Sequence, residues 1–147
     1  MKTAILSLLA IIALALTATV SNAHEKNEAG PNRGRLITSV TPHAEFFVTA
    51  ERKVQITFVG EDGKPAAPAD QVVVVTAGDR AAPTQLTFTK TGNVLLSDTT
   101  LPSGNKFPTV VQIKTTPEAK PVYARFNLNM SICGECKNAE YACVCGH

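Results

Sequence analysis

The chain has 147 residues, 44% apolar and 18% charged, with a formal charge of +2 at pH 7. That length and balance suit one globular domain and argue against a multidomain enzyme, and the basic excess is too small for a nucleic-acid groove. Trp is absent, so no aromatic carbohydrate platform is suggested.

Lys2, the apolar run over residues 4–16 and Ser21-Asn22-Ala23 have the three parts of a secretory signal. Residues 1–23 are therefore expected to be removed, because the apolar run falls short of the roughly 20 residues that a spanning helix needs. The mature form is expected to be periplasmic or secreted and not membrane-spanning. No Cys near the junction is available for lipidation. Only Lys2 is lost with the signal, so 13 basic residues face 12 acidic ones in the mature chain. Residues 24–33, HEKNEAGPNR, mix charge with Gly30 and Pro31 and have no apolar period, which reads as a flexible leader outside the core.

From Gly34 the period is two, and short runs rich in Val, Ile, Thr and Phe alternate with turn clusters. Strands are expected over 35–40 and 43–49. The clearest runs over 53–59, with Val54, Ile56 and Phe58 on one face. Asp62-Gly63 then supplies a tight turn and Pro65 interrupts pairing. Four consecutive valines at 72–75 mark a central strand within 71–77. Leu86 and Phe88 alternate with Gln85, Thr87 and Thr89, and Thr91-Gly92-Asn93 turns this strand into 94–97 as a hairpin. Strands at 110–115 and 122–130 complete a count of about eight. The fold expected is an all-β immunoglobulin-like or cupredoxin-like antiparallel sandwich over 34–130, with a closed small barrel as the alternative.

The densest chemical signal is the tail at 131–147. Cys133-Gly134-Glu135-Cys136, six further residues and Cys143-Val144-Cys145-Gly146-His147 hold every cysteine of the chain. A CxxC pair beside a CxC pair lets four sulfurs converge on one ion, since a Gly-containing turn can aim both members of a pair inward. Thiolates suit zinc or copper(I), and His147 offers a further donor. The competing reading follows from the oxidising compartment, where an even number of cysteines means disulfides; nested pairing of Cys133 with Cys145 and Cys136 with Cys143 is then favoured. A thioredoxin-type redox role fits least, because no βαβ context surrounds the CxxC.

A second candidate metal or polar site is formed by His43 and Glu45, two residues apart and hence on one face of a strand, read as its solvated face. His24 joins it as a candidate because cleavage after Ala23 would expose its α-amine beside its imidazole for copper.

Gly34-Arg35-Leu36-Ile37, His43-Ala44-Glu45-Phe46-Phe47-Val48 and Asp62-Gly63-Lys64-Pro65 together resemble the H-x-E β-module of small periplasmic proteins and of adaptor subunits in heavy-metal efflux systems. The resemblance implies an Ig-like sandwich in a metal-exposed envelope and assigns no catalytic residue.

No G-x-S-x-G elbow, phosphate loop or H-E-x-x-H occurs, so an enzyme is not expected. Two functions stay open: a metal-binding protein for delivery or sequestration, and a non-enzymatic module whose disulfide-stapled tail accompanies a surface for another envelope protein. Either way, removal of residues 133–147 is expected to leave a folded sandwich.

Overall fold

The computed structural model describes residues 28–146, so the signal at 1–23, His24 and His147 lie outside the described residues. Two antiparallel sheets form a sandwich. One runs β1 (Arg35–Ile37), β2 (His43–Val48), β3 (Val54–Val59), β8 (Val94–Ser97), β7 (Phe88–Thr91), with the two-residue β4 (Pro65–Ala66) also on β3. The other runs β10 (Val122–Asn129), β9 (Lys106–Lys114), β5 (Val72–Ala77), β6 (Thr84–Leu86). Each sheet ends in two edge strands, which is the sandwich and not the closed barrel.

The period-two pattern explains the core. Phe46, Ile56 and Phe58 from the first sheet meet Val75, Val111, Ile113 and Leu128 from the second in one buried cluster. Each such side chain, fully buried, stabilises the fold by about 1.5–3 kcal/mol. The valine run lies inside its sheet, as expected, but alternates: Val73 and Val75 are buried while Val72 is exposed.

Three local expectations change. Residues 85–89 are not one strand, because the chain crosses between sheets at Thr87: Leu86 pairs with Val75 of β5, and Phe88 pairs with Ser97 of β8. Thr87 and Thr89 turn their hydroxyls to Asp98, at 2.8 and 2.7 Å, and so fix the start of the hairpin. Pro65 does not end pairing but opens β4 opposite Val59, a first-residue position where its missing N–H is tolerated. Strand β9 begins at Lys106 and carries Pro108 opposite Asn127, four residues before the expected start at Val110.

The leader reading also changes for residues 28–33. Ala29 bridges to Arg35, and the loop folds over the outer face of β2 and β3 onto Glu45. Glu45 is 0% exposed, so it does not belong to a solvated face. Its Oε1 accepts the N–H groups of Asn32 and Gly34, both at 2.8 Å, and its Oε2 accepts Asn32 Nδ2 at 2.7 Å. A buried carboxylate is tolerable when hydrogen-bonded in this way. Glycines at 30 and 34 allow the approach, since a Cβ at Gly30 would stand 2.5 Å from the Glu45 carboxyl carbon and one at Gly34 would stand 2.4 Å from the Phe46 carbonyl oxygen.

Candidate metal centre

Residues 131–140 form a miniature hairpin. Ile132 bridges to Ala139, and the Glu140 N–H reaches the Ser131 carbonyl at 2.8 Å. At its tip the Cys133 N–H donates to the Asn138 carbonyl at 2.8 Å, and the Lys137 N–H donates to the Cys133 carbonyl at 3.2 Å. The left-handed residue that closes this CxxC turn is Lys137, with φ of 61°, and not Gly134. A 3-10 turn over Glu140–Ala142 then reverses the chain and returns Cys143 and Cys145 to the tip.

The result is a four-sulfur cluster. The Sγ atoms of Cys133, Cys136, Cys143 and Cys145 lie within 4.8 Å of one another. Cys133 to Cys143 is 3.4 Å, Cys136 to Cys143 is 3.7 Å and Cys133 to Cys145 is 3.8 Å. With Zn–S bonds of about 2.3 Å, a regular tetrahedron has sulfur edges of about 3.8 Å. The four cysteines are therefore close enough together to hold one ion. The nested disulfides are not present, because both expected pairs stand well beyond the S–S bond of about 2.05 Å.

The thiols are not equivalent. N–H groups of Val144 and then Asn138 point at the Cys136 sulfur and hold its pKa down at about 6, against the effect of burial. Cys143 receives the Cys145 N–H, which lowers its pKa, yet burial and its thiol neighbours Cys133 and Cys136 leave it raised overall. Burial, followed by the neighbouring thiols, pushes Cys145 far up. One thiolate forms readily at Cys136, and its negative charge opposes ionisation of Cys143 and Cys145. A cation at the centre removes that opposition, which is why closely packed thiols favour a metal.

The tail is built into the domain. Tyr141 and Ala142 belong to the main core cluster, and the Tyr141 ring stands edge-on to Phe46 at 5.8 Å. Its hydroxyl accepts the Val48 N–H at 3.0 Å, at the end of β2. Arg33 donates from Nε to Asn138 Oδ1 at 2.8 Å and from Nη2 to the Cys136 carbonyl at 3.0 Å. A boundary at residue 130 is thus not a domain boundary, and the expectation that the sandwich folds without 133–147 loses its basis.

His43 and Glu45 of the second candidate site are each engaged by other partners. Glu45 spends its oxygens on the 30–34 loop, and His43 Nδ1 pairs with the Val40 carbonyl at 2.9 Å. His43 starts β2, whereas Tyr141 of the tail meets this strand further along, at Phe46 and Val48. The four cysteines are the only group of three or more His, Cys, Asp or Glu residues placed to hold an ion among the described residues. His24 and His147 lie outside them. Asn32, Arg33, Asn138 and Tyr141 carry no motif and were not foreseen; the one available signal was the pair of glycines, Gly30 and Gly34, flanking Asn32.

No protein-family model matches this chain, and neither a curated protein nor a solved structure matches it. No helix among the described residues is long and apolar enough to cross a membrane.

Proposed function

We propose that the protein binds one thiolate-preferring ion, zinc foremost, through Cys133, Cys136, Cys143 and Cys145, and that it sequesters or delivers that ion in the periplasm or outside the cell. The observation that carries this reading is the sulfur cluster itself, whose shortest separations match the edges of a tetrahedral zinc site. Four protein ligands leave no open position for a reacting water, so the role is binding and not catalysis. His147, two residues beyond Cys145, is positioned in sequence to serve as an exchange ligand. The resemblance to the H-x-E module of heavy-metal efflux adaptors points to the same compartment, although Glu45 acts here as a structural group.

Intact mass under native and denaturing conditions tests the reading, on mature protein isolated from its own compartment without reductant or added metal. One zinc-mass adduct, with a full-hydrogen denatured mass, is expected. A copper adduct would reassign the ion. A denatured mass four hydrogens light with no adduct would overturn metal binding in favour of two disulfides.

A further inference from the structure

Beside the cysteine knuckle lies an open groove of about 440 Å³, between the end of β2, the 30–34 loop and the 131–140 hairpin. Phe47 and Met130 are among its apolar lining residues, and Ile132, which also lines it, is 65% exposed, the most exposed large apolar side chain among the described residues. Arg33, Arg52 and Lys137 also line it, and no Asp or Glu does. These three cations are held by neutral oxygens: Arg33 by Asn138 Oδ1 and the Cys136 carbonyl, Arg52 by the Pro102 and Gly104 carbonyls, and Lys137 by the Gly134 carbonyl. Such bonds fix the positions of the charges without neutralising them.

We propose that this groove is a docking site for an acidic segment of a partner protein, one that places an apolar side chain against Ile132 and Met130 and carboxylates toward Arg33, Arg52 and Lys137. Charge complementarity supports that occupant: three cations with no carboxylate bonded to them among the described residues, beside apolar side chains, attract and orient an oppositely charged chain. An anionic membrane is disfavoured because a single projecting aliphatic side chain beside a groove gives little to insert. A symmetric pairing with a second copy of this chain, groove to groove, is disfavoured because like charges would face each other.

The site adjoins the metal centre and shares residues with it. Lys137, Asn138 and Ala139 belong both to the groove and to the hairpin that carries Cys133 and Cys136. A carboxylate drawn to Arg33 competes with Asn138 Oδ1 and the Cys136 carbonyl, so docking would loosen one side of the cysteine cluster.

The test is selection of a random displayed 12-residue peptide library on the full mature chain, followed by NMR mapping of an enriched peptide. Enrichment of Asp and Glu around a single large apolar residue is expected, with shifts confined to the groove. Ile132→Asp should weaken that peptide by about tenfold to a hundredfold, the loss of one buried aliphatic contact, and rising salt should weaken it further. Because Ile132 is exposed, this variant should keep the wild-type spectrum elsewhere. Enrichment of no pattern or of basic peptides, or binding indifferent to Ile132→Asp, would overturn the proposal. So would phosphatidylglycerol vesicles that shift the same residues when no peptide is selected. Repeating the mapping on chelated protein, with zinc uptake measured separately by native mass, distinguishes the two readings: peptide binding in a protein that takes up no zinc leaves docking standing and removes only the metal function.

Discussion

Arg33 and Asn138, 105 residues apart, are joined by a 2.8 Å hydrogen bond from the Arg33 Nε to the Asn138 Oδ1. The contact links two loops that otherwise belong to opposite ends of the chain. Asn138 is 6% exposed, and its carbonyl already accepts the Cys133 N–H while its side-chain amide donates to the Ala142 carbonyl at 3.3 Å. Asn138 therefore ties the CxxC turn to the 3-10 turn, and Arg33 fixes Asn138.

Arg33→Ala removes that fixation without changing the backbone demand, since arginine and alanine are equally disfavoured at the φ of 65° found there. Stability should fall by about 1–3 kcal/mol, the range for losing hydrogen bonds to a charged donor. Metal release should quicken several-fold, read by competition with a chromogenic chelator. Arg33→Lys should rescue little, because an ammonium cannot serve both acceptors with the fork that guanidinium provides. Unchanged release in both variants would remove Arg33 from the account of the site.

Glu45→Gln tests the buried carboxylate. The wild-type carboxylate accepts three N–H donors, and an amide in its place must turn an NH2 toward one of them. Denaturant unfolding should show a loss of about 1–3 kcal/mol from the unpaired donor, while metal stoichiometry stays at the wild-type value. A variant as stable as wild type, or one that loses its metal while staying folded, would contradict the structural role given to Glu45.

Arg33 and Glu45 mark where the sequence stops being legible. Alternation over Val54, Ile56 and Phe58 reported the buried face of β3 because strand periodicity is local, and the clustering of four cysteines reported a sulfur site because spacing alone brings them near. The same alternation placed Glu45 on a solvated face, since periodicity tells which side of a sheet a residue occupies and not whether a loop covers that side. Residues 85–89 alternate smoothly through Thr87 although the chain changes sheets there, because a crossing preserves the pattern on both sides of it. Tyr141 sits in a polar stretch between cysteines, and its place in the core follows from the return of the tail onto β2, a long-range contact that no local pattern encodes.

Deletion of residues 133–147 should therefore unfold or severely destabilise the domain. Loss of the Tyr141 side chain alone, by Tyr141→Ala, should cost about 3–5 kcal/mol, as for other large buried aromatics. Circular dichroism of the truncated chain and thermal melts of the point variant measure both. A truncated chain with wild-type β signal and melting temperature would restore the boundary at residue 130.

Metal removal should act in the same direction. Whatever binds the folded cysteine cluster more tightly than the unfolded chain stabilises the fold by mass action, so a chelator should lower the melting temperature, and zinc added back should restore it. Cys136→Ser and Cys143→Ser should each abolish most of the zinc-dependent increment. If the serine variants keep the increment, the stabilising ion sits elsewhere.

Tyr141 also sets an alkaline limit. Burial raises its pKa above the ordinary tyrosine value; the Val48 N–H lowers it, but the Glu45 carboxylate raises it further. A folded pKa above the unfolded value means that the stabilising contribution is fully present below about pH 10, where the unfolded chain is also neutral, and is lost as pH rises through the higher folded value. Tyr141→Phe keeps the ring against Phe46 but leaves the Val48 N–H without its acceptor. Its stability at pH 7 should therefore fall by about 1 kcal/mol, and its alkaline decline should be shallower than that of the wild type. Denaturant midpoints followed from pH 7 to strongly alkaline solution, with tyrosinate absorbance recorded in parallel, decide the matter. Parallel alkaline declines in the two proteins would show that Tyr141 ionisation does not govern the loss.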